Sequence, residues 1–276
     1  MTVSLVTNIA SLRAQKNLRK TTDSLGQSIE RLSSGLRINK AGDDPARSSI
    51  ASQLGAHMLG MKQAQRNAND ADSVVQVADG AMSELTGIIT RMRELSVQAS
   101  NDGTMDSTER GYLNQEFQLL ESELDRIVQV TEFNGTKLIN GALSAGTSFQ
   151  VGFRNTANDR ISMTITSSTS TQLGLNDDSL SAATAAQKAI TALDTALESI
   201  NTKRGTLGAT QNRLTVTISN LGSLYENQGA SLSRLQDADI AEESASFTRK
   251  QILTQAGTAV LAQANALPQT ALALLV

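Results

Sequence analysis

The chain has 276 residues, a formal net charge of −3, 3% aromatic residues, no Trp and no Cys. Without Cys there are no disulfides and no thiolate metal sites, and without a dense basic patch nucleic acid is a poor partner. A core this poor in aromatics must be built from Leu, Ile, Val, Met and Ala, which suits helix packed on helix.

Residues 1–12 carry no side-chain charge. They show no basic segment leading into an apolar core and a small-residue cleavage site, so no Sec-type signal is expected. Leu18, Leu25, Ile29, Leu32 and Leu36 follow at spacings of 7, 4, 3 and 4, with Leu5, Ile9 and Leu12 as an earlier stripe in a shifted phase. Such spacing puts side chains on one helix face and predicts a helix over 4–34, ended by the backbone freedom of Gly35. Arg37 to Pro45 reads as a loop and a new helix start. Asp43 or Asp44 caps it, and Pro45 takes the first helical position, where a missing N–H costs nothing. No further ligands converge on the two aspartates, so capping is favoured over a metal site.

The second helix is expected from Pro45 to Ala99. One edge of its seam is Leu54, Met61, Ala68, Val75, Met82 and Ile89, every seven residues. The other is His57, Ala64, Ala71, Ala78, Leu85, Met92 and Ala99, also every seven and mostly Ala, which permits close helix approach. His57 is the single His, and its seam position makes it a packing residue; one His also removes the usual catalytic triad and the two-His zinc motif. After Asn101-Asp102-Gly103 a third helix is expected over 106–130, with Leu113, Phe117, Leu120, Leu124 and Ile127 along one face. Phe133-Asn134-Gly135 and Ile139-Asn140-Gly141 are turn signals.

The period then changes to two. Phe149, Val151 and Phe153, and again Ile161, Met163 and Ile165, alternate with polar residues around Asn155 to Asp159, which predicts a β-hairpin with one apolar face. Ser167 to Thr171 reads as a polar, solvated loop, and Asp177-Asp178-Ser179 as the cap of the last long helix. From Leu193 that helix carries Leu193, Leu197, Ile200, Arg204, Leu207, Gln211, Leu214, Ile218, Leu221, Tyr225, Gln228, Leu232 and Leu235 at spacings of four and three, with Ala186 and Ile190 in the same register. This is a heptad seam without a Pro, on a helix roughly 75 Å long at about 1.5 Å per residue. A compact globule of this length has a radius of gyration of about 19 Å, so the sequence predicts an elongated protein.

Beyond Leu235 come Asp237, Asp239, Glu242 and Glu243, then a seam of Leu253, Gly257, Val260, Ala264, Leu267, Ala271 and Leu274. Pro268 within it predicts a kink or an early end. Residues 251–276 carry no side-chain charge but include Gln, Thr, Asn and Pro, so a buried amphipathic tail is expected rather than a membrane span. Neither end can bury its seam alone. Residues 1–42 carry a net charge of +5 and residues 235–276 a net charge of −2, which favours pairing. Side chains expected to pack this pair are Leu18, Leu25, Ile29 and Leu32 against Leu253, Val260, Leu267 and Leu274. Seams this thin offset the entropy of ordering two helices only marginally, so the ends are expected to be disordered in a monomer and to fold when copies pack together.

The chain is thus expected to be mostly α: an elongated rod of long coiled-coil helices with one small β-hairpin and paired N- and C-terminal helices. Its domains are expected to be 1–42 with 235–276, the terminal coiled coil, and 43–234, a helical rod with the hairpin.

Several separated motifs resemble bacterial flagellin: Ser33-Ser34-Gly35-Leu36-Arg37-Ile38-Asn39 after Glu30-Arg31-Leu32, Phe133-Asn134-Gly135-Thr136-Lys137-Leu138, Ser233 to Glu243, and Gln263-Ala264-Asn265-Ala266-Leu267-Pro268-Gln269 with Leu272 to Leu275. They occur in order and cover nearly the whole chain. The resemblance implies a structural subunit that polymerises into the filament of the bacterial flagellum for motility. Its terminal helices would form an inner core and its long middle helices a surrounding layer. It also implies unfolded export through the flagellar type III apparatus to the cell exterior, assembly under a filament cap protein, and contact with the hook–filament junction protein. A cytoplasmic export chaperone would hold the C-terminal segment. There is no room for a large variable outer domain, so a short, two-layer form is expected. The loop Asn39 to Pro45 differs slightly from the commonest family wording.

Arg91 to Gln98 resembles the flagellin segment recognised by Toll-like receptor 5. That resemblance implies roles for Arg91, Leu95, Gln98 and Glu116, although Arg91, Glu94 and Gln98 at helical spacing also fit a plain polar face. The Ser and Thr residues of 167–171 and of the hairpin are O-glycosylation sites if they face outwards, and a solvated loop otherwise. The alternative within the structural class is a hook–filament junction protein. A secreted enzyme lacks support: there is no glycine-rich phosphate loop, nucleophile elbow or metal cluster, and no cofactor is implied. A membrane-acting translocator would need an apolar hairpin of 18 or more residues, and none is present.

Overall fold

The computed structural model describes residues 7–176 and 178–273, and the side chains of these as far as residue 266. It contains α1 (Ile9–Ser34), α2 (Pro45–Ala99), α3 (Ser107–Val130), β1 (Glu132–Phe133), β2 (Thr136–Lys137), β3 (Thr147–Gln150), β4 (Arg160–Met163), α4 (Ser170–Leu173), α5 (Ala183–Gln236) and α6 (Ile240–Ala273). The chain divides into two compact units. One takes both ends, up to Ala56 and from Asn227, and the other takes His57–Glu226. The division falls inside α2 and α5, at 56/57 and 226/227, where the sequence places it at 42/43 and 234/235. Both helices are unbroken, so no change in composition marks the boundary.

The His57–Glu226 unit is built on the two seven-residue repeats. Met61, Ala68, Val75, Met82 and Ile89 of α2 are buried, as are Ala64, Ala71, Ala78, Leu85, Met92 and Ala99. On α5 the buried row is Ala186, Leu193, Ile200, Leu207, Leu214 and Leu221. The alanines let the helices approach closely, and the larger side chains fill the space between. α3 closes the layer with Phe117, Leu124 and Val128, all fully buried. Its N-terminus is held by a capping box, Asp106 accepting from the Glu109 N–H while Glu109 accepts from that of Asp106.

Two hairpins are present rather than one. β1 and β2 pair around Asn134 (φ 49) and Gly135 (φ 78), both left-handed as a two-residue hairpin turn requires. The sequence signalled the turn without the strands, which are too short to show a period. β3 and β4 pair antiparallel, Phe149 opposite Ile161 and Thr147 opposite Met163, with the first strand starting two residues before the expected Phe149.

The polar 167–171 segment is corrected most. It leads into α4, and Ser168 and Ser170 are buried at 0% and 3% exposure. Asp125 accepts from the Ser170 N–H (2.8 Å) and Oγ (2.7 Å), and Lys203 Nζ donates to the Ser167 carbonyl (2.6 Å) and Ser168 Oγ (3.0 Å). Burial also lowers the Lys203 pKa. Low complexity concealed a segment whose hydroxyls are satisfied from α3 and α5. α5 likewise begins at Ala183, not directly after Ser179. Asn114 holds the Leu180 N–H (2.8 Å), Leu180 is fully buried, and the helical bonds start with Ala186 N–H to the Ala182 carbonyl (2.9 Å).

Candidate assembly interface

α1 and α6 pair antiparallel. The pairing row on α1 is Ser11, Ala14, Leu18, Thr21, Leu25, Ser28 and Leu32, and on α6 it is Glu243, Phe247, Lys250, Thr254, Gly257, Leu261 and Ala264; none of these is exposed. Both rows keep the four-and-three spacing of a coiled-coil seam. The side chains within them are largely small or polar.

α1 starts at Ile9 rather than at 4; residues 4–6 lie outside the described residues. Its N-cap is Asn8, whose Oδ1 accepts from the Ser11 N–H (3.0 Å). Asn8 Nδ2 donates to the Ala264 carbonyl (2.7 Å). A proline at 268 has no N–H to give that carbonyl four residues back, so the partner comes from α1 instead. This explains why α6 reaches Ala273 and does not end at Pro268. Ser11 Oγ donates to Asn265 (2.7 Å). One step along, a Cβ on Gly257 would lie 3.1 Å from Leu18 Cδ1, so a larger residue there requires the Leu18 side chain to shift.

The far end of the pair is a polar node. Ser28, fully buried, donates to Glu243 (2.5 Å) and accepts from Lys250 Nζ (2.6 Å). Arg31 (3.7 Å) and Lys250 (3.9 Å) also pair with Glu243. Gly35 (φ 72) ends α1, and the chain then crosses to the start of α6 through an antiparallel bridge, Leu36 with Asp237. Arg37 N–H donates to the Gln236 carbonyl (2.7 Å) and Ala238 N–H to that of Gly35 (2.9 Å). In the loop that follows, Asp43 accepts the N–H groups of Asn39 and Lys40 (3.0 Å each), which lowers its pKa, the Lys40 bond first. Asp44 accepts from the Arg47 N–H (3.0 Å) and is therefore the residue that caps α2.

The expected packing residues divide. Leu18, Leu25 and Leu32 lie in the pairing row and are half-buried. Ile29, Leu253 and Val260 do not, and are 52%, 51% and 54% exposed. Leu267 has its backbone in α6 but its side chain outside the described residues, as is all of Leu274. The sequence reading followed the largest apolar side chains, whereas the helix pair brings its small and polar row inward. Ser28, Glu243, Lys250 and Asn8 were missed. The signal was present in Glu243, Lys250, Gly257 and Ala264, spaced every seven residues.

Of the four residues in the receptor-like patch, Arg91 donates to Glu116 (2.8 Å) and Glu94 (3.0 Å), and Gln98 is exposed. Leu95 is 1% exposed, inside the core, and touches no outside surface. His57 stacks on Phe153, with ring centroids 4.9 Å apart and tilted by 46°, and Arg154 lies over the same ring. Among the described residues no group of three His, Cys, Asp or Glu side chains is placed to hold a metal, and no helix is long and apolar enough to cross a membrane.

Residues 5–144 match the bacterial flagellin N-terminal helical region, and residues 190–275 match the C-terminal helical region. A flagellin of Halalkalibacterium halodurans is 40% identical over 268 residues, covering 97% of this chain and 98% of the relative. Flagellin A of Vibrio cholerae is 33% identical and covers all of both chains, over an alignment of 382 positions. More than a hundred of those positions have no counterpart in the 276 residues here. Among solved structures, the crystal structure of Bacillus cereus flagellin is 29% identical, with a TM-score of 0.50, over 56% of this chain and 88% of that one. With both terminal regions and full-length relatives in agreement, the chain belongs to the bacterial flagellin family.

Proposed function

We propose that this chain is the repeating subunit of a bacterial flagellar filament, a structural rather than catalytic protein, with the terminal helix pair as its assembly element. The observation that carries the reading is the solvent-facing side of that pair. Ile9, Leu12, Ile29, Ile252, Leu253 and Val260 are each more than half exposed. Large apolar side chains on both helices, outside a polar pairing row, are the surface a second copy covers, and their burial supplies the drive for self-association. The His57–Glu226 unit has its own apolar core and does not depend on that surface for its burial.

Export through the flagellar type III apparatus to the cell exterior, growth beneath a filament cap protein, seating on the hook–filament junction protein and escort by an export chaperone at the C-terminal segment belong to the same proposal. They rest on family membership. Recognition by Toll-like receptor 5 would use the exposed Arg91 and Gln98 of α2 and the half-buried Glu116 of α3, with Leu95 positioning α2 from within. Arg91 is held by Glu116 and Glu94 in the free chain, so a receptor must compete with those bonds.

The test is seeded polymerisation followed by light scattering and electron microscopy. Wild-type chain elongates short filament seeds. The double variant Ile29→Asp with Val260→Asp, which places charge on the exposed apolar face, does not. Equal elongation by both would refute the assignment of this face.

A further inference from the structure

The charges on the terminal pair are out of step with each other. Arg13, Lys16, Arg19 and Lys20 are exposed on α1 and make no ion pair among the described residues. They cannot be neutralised by their own partner helix. Ser11, Leu18 and Ser28 of α1 lie beside Asn265, Gly257 and Glu243 respectively, so the 13–20 stretch faces the part of α6 beyond Gln251, which has no charged side chain. Acidic side chains gather elsewhere. Glu243 sits at Ser28 and Asp237 at Leu36, and between them Asp239 and Glu242 are exposed with no ion pair among the described residues. Of these four acids only Glu243 is ion-paired, by Arg31 and Lys250. Asp237 accepts from Ser233 Oγ (2.6 Å), and Asp239 accepts the N–H groups of Ala241 (2.9 Å) and Glu242 (3.2 Å), bonds that leave their charges without a cation among the described residues.

Each group also has an apolar companion. Leu12 (56% exposed) borders a shallow groove along α1 that Lys16, Arg19 and Lys20 line, with Asp23 as its one acid. Ile240 (51% exposed) stands among Asp239, Glu242 and Glu243.

A helical polymer joins one patch of the subunit to a different patch of the next, so unlike surfaces must be complementary. Resting on the filament reading, we infer that the α1 groove of one copy receives the 237–242 turn of a second, parallel copy, with Lys16 and Lys20 facing Asp237, Asp239 and Glu242 and Leu12 against Ile240. The stagger follows from the helix. The acidic turn lies level with residues 28–36, the end of its own α1 and the two residues after it, and the cations lie at residues 13–20. At about 1.5 Å per residue the two centres are roughly 23 Å apart, so neighbouring copies in this contact are displaced axially by about that distance. The contact also fixes polarity, because the opposite displacement sets cations beside an uncharged stretch.

The test uses full-length chain. Filaments are grown from a mixture of heavy-nitrogen-labelled and unlabelled protein and treated with a carbodiimide, which joins an amine only to a carboxylate in contact with it. Mass spectrometry is expected to find mixed-isotope links from Lys16 or Lys20 to Asp237, Asp239 or Glu242, absent from unassembled chain. In parallel, Lys16→Glu with Lys20→Glu, and separately Asp237→Lys with Glu242→Lys, each lower the elongation rate by roughly tenfold or more, and the four changes together restore it, since the pairing is only exchanged. Wild-type filaments without these links, or a fourfold variant as slow as either double variant, would overturn the inference while leaving the filament reading intact. Failure of wild-type chain to elongate seeds at all would overturn both.

Discussion

The bond from Asn8 to the Ala264 carbonyl ties the start of α1 to a place where α6 cannot satisfy itself, and this can be measured as a coupling. Asn8→Ala removes two interactions. The cap to the Ser11 N–H contributes about 1 kcal/mol, and the bond to the Ala264 carbonyl about 0.5–1.5 kcal/mol. Asn8→Asp keeps an accepting oxygen for the cap and loses only the second. If the terminal pair folds on assembly, both losses appear in the critical concentration for polymerisation, where about 1.4 kcal/mol is tenfold. Asn8→Ala is expected to raise that concentration by roughly 10- to 50-fold, and Asn8→Asp by about 2- to 10-fold. The decisive comparison is made in a Pro268→Ala background. There residue 268 has an N–H of its own for the Ala264 carbonyl, so Asn8→Asp becomes nearly neutral and Asn8→Ala costs only the cap. Sedimentation of filaments at equilibrium gives the free subunit concentration for each variant. An Asn8→Asp effect of the same size in both backgrounds would refute the account of how α6 passes its proline.

Phe117, fully buried in the larger unit, is expected to cost about 3–5 kcal/mol on change to Ala, read from thermal or urea unfolding of the unassembled chain. A loss below about 1 kcal/mol would mean that α3 does not close that core. Gly257→Val should raise the critical concentration, because its Cβ meets Leu18, and Leu18→Ala in the same chain should recover part of the loss; additive effects would contradict the close approach. Asp43 has its pKa lowered by the Lys40 and Asn39 N–H groups, so the stability it gives the 39–44 loop is present above the ordinary carboxylate pKa and is lost as pH falls through the lowered one. Amide exchange at Asn39 and Lys40 should therefore quicken on acidification, and in Asp43→Asn it should already be fast at neutral pH; unchanged exchange in that variant would count against the loop assignment.

The amino-acid pattern by itself determined the helices and their faces wherever a long apolar repeat was present. α2 has the bounds expected from Pro45 and the Asn101-Asp102-Gly103 break, and its two seven-residue rows are buried from Met61 and Ala64 onward, with Leu54 and His57 half-buried. α5 keeps its seam from Ala186 to Leu221 for the same reason. The family was also legible, because its motifs depend on local residue order. Tertiary structure alone decided the inward row of α1 and α6. On those helices the backbones approach closely enough to bring Ser28, Thr254 and Gly257 inside and leave Ile29, Leu253 and Val260 in solvent, against the order of side-chain hydrophobicity. It also decided the 167–173 segment, since burial of Ser168 and Ser170 depends on Asp125 and Lys203, some forty residues away on either side. A periodic apolar face is a property of one segment and can be read from it. A polar group goes inside only where a distant residue meets it, and that meeting is made by the fold.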